Sequence, residues 1–162
     1  MTHTKLPHPL RDRYDLAIGI DPGTSTGLAL AVPEDDARGY RWEALHTMPL
    51  HRALLHVYEE IRQVEQDAYR QRVLVVVEDA RQIGGDPRKA LGAGSVRRDS
   101  AIWADFLEDL QSQVDCLEFR LVRPSPRQLR KLTAEQLQTY TGCQLKGSQH
   151  ARDAAGLLFP YL

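Results

Sequence analysis

Asp21 stands immediately before a Pro-Gly pair, Glu78 ends the run Val73-Leu74-Val75-Val76-Val77, and His150 and Asp153 lie three residues apart near the C-terminus. Carboxylates brought together repel one another unless one is protonated or a cation lies between them. Hard oxygen donors suit Mg²⁺ or Mn²⁺, ions that typically act on phosphates. Two such ions about 3.5–4 Å apart stabilise both the attacking and the leaving oxygen of an in-line displacement. Each residue also has an ordinary alternative. Asp21 can stabilise its turn, Glu78 and the neighbouring Asp79 can form a solvated strand end, and Asp153 can pair with Arg152 or Lys146.

The elements around these residues decide whether they meet. Leu16 to Ile20 is an apolar run stopped by Asp21-Pro22-Gly23, a strand and a turn. Gly27 to Val32 can pair back on it as a hairpin, and Tyr40 to Met48 reads as a third, partly exposed strand. Leu54, Leu55, Tyr58 and Ile61 recur at helical spacing, predicting an amphipathic helix over 51–70. The β-branched run ending in Glu78 has the composition of a central strand covered on both faces. A helix near 95–114, a strand over 117–122, a helix over 127–140 and a last helix over 148–159 follow, with Gly142 as a C-cap and Ser148 as an N-cap. The order β-β-β-α-β-α-β-α-α implies an α/β domain: a mixed five-stranded sheet, three antiparallel strands and then parallel ones, flanked by helices. Such a sheet can bring the ends of the first and fourth strands, with Asp21 and Glu78, to one crevice. His150 and Asp153 share one face of the last helix.

The chain has 162 residues, enough for one domain with a substantial core. Residues 1–14 read as a flexible arm and 15–162 as the domain. The polar N-terminus lacks the apolar stretch of a signal peptide, and no apolar run approaches a membrane span. Cys116 and Cys143 are expected to be reduced thiols of a cytoplasmic protein. A net charge of −1 by itself argues against a tail-like nucleic-acid binder. The distribution points the other way. Arg81, Arg88, Lys89, Arg97 and Arg98 form one basic run opposed only by Asp86, and Arg120, Arg123, Arg127, Arg130 and Lys131 form another with no acid. Lys146 precedes the last helix. Basic stretches flanking an acidic pocket suit binding to a phosphate backbone.

The strings IGIDPGTSTGLAL, VLVVVEDAR and SQHARDAAGLL, in that order, resemble the RuvC-like Holliday junction resolvases of the RNase H-like superfamily. The resemblance implies that Asp21, Glu78, His150 and Asp153 hold two Mg²⁺ per site, with Mn²⁺ able to substitute. His150 is left as either a ligand or a proton donor. It implies hydrolysis to a 5′-phosphate and a 3′-hydroxyl on branched DNA, by a homodimer matching the near two-fold symmetry of a four-way junction. The Gly94–Ile102 stretch resembles the family's helix at the dimer interface, and Ala101, Ile102, Trp103 and Phe106 give that helix an unusually wide apolar face. Gly84-Gly85 is a candidate loop for the junction centre.

The implied setting is recombination, repair or phage DNA processing, in a bacterial or phage-infected cell. The alternatives are an RNase H-like nuclease for flaps, other branched DNA or RNA–DNA hybrids, and a catalytically silent DNA-binding protein of the same fold. The first motif also resembles the phosphate-binding turn of actin-like and sugar-kinase ATPases. Those need two such domains, for which this length leaves no room, so no nucleotide cofactor is expected.

Overall fold

Two runs of small and branched residues, Leu16–Asp21 (β1) and Val73–Glu78 (β4), lie side by side and parallel at the middle of a five-stranded sheet. Ser25–Pro33 (β2) returns antiparallel on the other side of β1, and Tyr40–Pro49 (β3) pairs antiparallel with β2 at the edge. Leu117–Val122 (β5) closes the opposite edge, parallel to β4, giving the order β3-β2-β1-β4-β5. The mixed sheet is therefore the one the hydrophobic pattern implies. The computed structural model describes residues 13–34, 39–67, 69, 72–81, 90–123 and 131–162, with backbone only at 90–93.

Alternate residues of the central strands build two different faces. Leu16, Ile18, Ile20, Val73, Val75 and Val77 pack with Val57 and Ile61 of Leu50–Gln66 (α1) and with Trp103 and Leu107 of Ala90–Gln111 (α2). Ala17, Ala31, Leu74 and Val76 turn the other way, against Leu158 of Gln149–Leu158 (α4), while Ala29 meets Ala151, Ala154 and Ala155 of the same helix. Leu137 of Ala134–Thr141 (α3) joins that second layer.

Some boundaries differ from expectation. The first helix ends at Gln66, where Asp67 is already extended. The second begins at Ala90 and ends at Gln111. The helix expected over 127–140 begins at Ala134; of its earlier part, 127–130 lie outside the described residues and Lys131 to Thr133 are not helical. A capping box explains this start: Thr133 Oγ1 accepts from the Gln136 amide, and Gln136 Oε1 accepts from the Thr133 amide. Gly142 does cap α3, at φ 68°, and Ser148 caps α4 by accepting from the Ala151 amide. Both cysteines are free thiols.

Candidate active site

The register of β1 and β4 pairs Ile20 with Val77, so the next residues, Asp21 and Glu78, end the two strands as neighbours. The strand period of two puts both on the face that α4 covers, because Ile20 and Val77 point into the opposite core. On β1 and β2 that face is lined with small residues, and α4 lies directly on their backbone. A Cβ on Gly19 would come within 2.1 Å of the Ala154 carbonyl oxygen, and one on Gly27 within 2.1 Å of the His150 carbonyl oxygen. Gly27 is the residue paired with Asp21 across the β1–β2 ladder. The helix backbone at His150 therefore sits over the residue beside Asp21, and His150 Nδ1 lies 2.8 Å from Asp21 Oδ2. Thr26 secures the intervening turn by donating to the Gly23 carbonyl at 2.8 Å.

The two carboxyls are electrostatically strained. Burial first, then the charge of Asp21, a hydrogen bond shared with it, and the charge of Asp153 push Glu78 up to about 7. Asp21 is raised as well, chiefly by burial, with the His150 hydrogen bond working against the shift. Both carboxyls are raised together, so the pair holds a proton more readily than two separate acids would. Like charges crowded into a half-buried cleft are an arrangement that a cation relieves.

The four expected residues all line one cleft of about 630 Å³, together with Arg123, Lys131, Gln149 and Tyr161. Of the ten basic residues expected to contact DNA, Arg123 and Lys131 are thus beside the carboxylates. Arg97 and Arg98 lie on α2, across the sheet from α4, and Arg98 stands 3.3 Å from Asp99. Arg81 is turned onto Asp79 through two hydrogen bonds, at 2.9 and 3.1 Å, and holds the Asp79 carboxyl below its ordinary range. Asp79 is thereby explained as the anchor of Arg81. Lys146 is exposed ahead of α4. Arg88, Lys89, Arg127, Arg130 and the Gly84-Gly85 loop lie outside the described residues.

No family model matches the chain, and no curated protein matches it. Among solved structures, "Thermus thermophilus RuvC structure" is similar at 17% identity and a TM-score of 0.50, covering 88% of this chain and 90% of that one. The chain has the RuvC fold. A second structure, "T. thermophilus RuvC in complex with Holliday junction substrate", is similar at 16% identity and a TM-score of 0.49, over 88% of this chain and 89% of that one.

Within this RuvC fold, the expected metal ligands are not arranged as a ready set. Among the described residues, no three His, Cys, Asp or Glu side chains converge as metal ligands do. Two of the acids have hydrogen-bond partners instead: Asp21 Oδ2 lies against His150 Nδ1, and Asp153 Oδ1 accepts from Gln149 Nε2 at 2.6 Å. Asp153 thus pairs with Gln149 and not with the basic partners its sequence neighbours offered. The donor set still fits a hard divalent cation in kind, with three carboxyls and an imidazole lining one cleft and burial raising both Asp21 and Glu78, a shift that a cation would oppose. Sequence reasoning missed Gln149 and Arg152. The spacing of Gln149 and Asp153, four residues apart on α4, was the available signal.

The wide apolar face expected on α2 is largely consumed by the core. Trp103 is fully buried and Phe106 packs on it edge-to-face at 5.8 Å, which leaves Ala101 and Ile102 half-buried.

Proposed function

We propose that this protein is a divalent-metal-dependent, structure-selective endonuclease that resolves four-way DNA junctions by paired, symmetric phosphodiester hydrolysis. The observation that carries the reading is the Asp21–Glu78 pair at adjacent strand ends, in one cleft with His150, Asp153, Arg123 and Lys131. The RuvC fold and the motif resemblance at Asp21, Glu78, His150 and Asp153 support junction DNA as the substrate.

Asp21, Glu78, Asp153 and His150 would hold Mg²⁺, with Mn²⁺ able to substitute. Such an ion supplies charge stabilisation at the scissile phosphate and lowers the pKa of water. The chain's own part is the following. Glu78 releases its proton to become an anionic donor, and Asp21 is held in place by His150 Nδ1. His150, half-exposed on the cleft wall, would act either as a ligand or as the proton donor to the leaving 3′ oxygen. Arg123 and Lys131 neutralise flanking phosphates. A near two-fold substrate calls for two such sites in a homodimer, a requirement that rests on symmetry and not on α2. The assigned setting is cytoplasmic DNA recombination, repair or phage DNA processing.

The test is incubation with Mg²⁺ on four-way junction, flap, RNA–DNA hybrid and linear duplex, with Asp21→Asn in parallel. Symmetric nicking of the junction that disappears in Asp21→Asn is the expected result. Preference for flap or hybrid assigns the chain to another nuclease class of this fold. Junction binding without cleavage makes it a DNA-binding protein only.

A further inference from the structure

Two α4 side chains without an assigned role form a continuous network behind the cleft. Gln149 Nε2 donates to Asp153 Oδ1 at 2.6 Å and to the Leu132 carbonyl at 3.2 Å. Arg152 Nε donates to the same carbonyl at 2.8 Å, its Nη1 to the Gly147 carbonyl at 2.5 Å, and its Nη2 to Gln149 Oε1 at 3.0 Å. Leu132 also rests on α4 at Gly156, where an added Cβ would meet its Cδ1 at 3.0 Å. One backbone carbonyl therefore takes two donors from the helix that carries Asp153. The residue before it, Lys131, lines the cleft.

The network has a direction. A guanidinium only donates, so Arg152 requires the oxygen of the Gln149 amide to face it. The amide NH₂ is then left facing Asp153 and Leu132. With Oδ1 so engaged, Asp153 is restrained in rotation and keeps its other oxygen available. Without the network, Asp153 would be one carboxylate among three that repel, and Lys131 would sit on an unanchored extended segment.

We propose that Gln149 and Arg152 are positioning residues: Arg152 orients the Gln149 amide, Gln149 holds the Asp153 carboxylate for a divalent cation, and their joint grip on Leu132 brings Lys131 to a substrate phosphate. The consequences for metal and DNA rest on the nuclease reading above; the grip on Leu132 does not. Hydrogen-bond partners standing behind metal ligands are typically worth about 10–100-fold in affinity or activity.

Gln149→Met preserves side-chain length and removes both amide functions, and Gln149→Glu keeps the acceptor for Arg152 while removing the donor. Circular dichroism and melting establish that each variant is folded. Three readouts are then compared with the wild type: Mn²⁺ affinity by calorimetry, kcat and KM on the four-way junction across Mn²⁺ concentration, and hydrogen exchange of the Lys131–Thr133 amides. The expected result is Mn²⁺ binding weakened about tenfold or more, kcat lost at low Mn²⁺ and largely recovered at saturation, and faster exchange at 131–133. A purely structural role would lower the melting temperature without moving the Mn²⁺ midpoint. Folded variants with wild-type Mn²⁺ affinity and wild-type exchange at 131–133 overturn the inference. If the wild type neither binds Mn²⁺ nor cleaves any substrate, the nuclease reading falls, and the exchange data alone decide the grip: unchanged protection in both variants refutes it.

Discussion

The two faces of the central strands do opposite jobs with alternate residues of the same peptides. Toward α1 and α2, β1 and β4 present Leu16, Ile18, Ile20, Val73, Val75 and Val77, and large side chains interdigitate to make the main core. Toward α4, β1 presents Ala17, Gly19 and Asp21, and the helix backbone lies almost on the sheet backbone. A core of branched side chains tolerates small shifts by repacking. Backbone laid on backbone has no such freedom, so α4 delivers His150 to Asp21 with little positional slack. The first face supplies stability. The second gives up some of it, since it gathers half-buried acids beside its own smaller clusters around Leu74, Val76, Leu137 and Leu158.

If that division is right, substitutions on the α4 face damage chemistry more than stability. The largest effect is expected at Asp21→Asn, with cleavage reduced to background while the melting temperature of the metal-free protein stays level or rises, because one member of a repelling group is neutralised. Loss of folding in that variant would contradict the division. Next comes Gly27→Ala. Its methyl group must displace the His150 carbonyl, and a shift on the order of 1 Å is expected to cost about 10²-fold in kcat, together with a lower melting temperature.

The opposite face should invert the pattern. Leu107→Ala is expected to cost about 2–5 kcal/mol in denaturant unfolding, with kcat per folded molecule preserved. A comparable fall in kcat there would mean the faces are not separable.

The smallest effect is a pH dependence. Glu78 is raised from 4.5 to about 7, so its contribution to stability is complete below about pH 4.5 and is lost as pH rises through about 7. Asp21, also raised, acts with the same sign. Calorimetry of the metal-free protein should show the melting temperature falling between pH 5 and 8. Glu78→Gln should flatten that slope, and Mg²⁺ should reduce it. A slope unchanged in Glu78→Gln would remove the assigned cause.

Much of the site was legible because its markers are local. Asp21 before Pro-Gly and Glu78 after five apolar residues each announce a strand end, and Ser148 and Gly142 announce helix ends by their capping chemistry. The start of α3 was missed because Thr133 and Gln136 fit a helical pattern as well as a capping box. Among the described residues, the basic runs place only Arg123 and Lys131 in the cleft. Arg120 is tied to Glu118 on the same side of β5, and Arg81 to Asp79, two residues away in each case. Such short-range pairs disappear in a count of charges along the chain, yet they decide which arginines still face the cleft.

What the sequence determined by itself is the order of the strands and helices, the placing of Asp21 and Glu78 at strand ends, and the pairing of His150 and Asp153 on one helical face. These follow from residue periods of two and 3.6, which need no knowledge of neighbours. Tertiary structure alone decided the register that sets the acids of β1 and β4 together, the burial that raises both carboxyls, and the docking of Leu132 on Gln149 and Arg152. Each of these depends on distances between segments far apart in the chain, and on a burial that only the docked α4 creates.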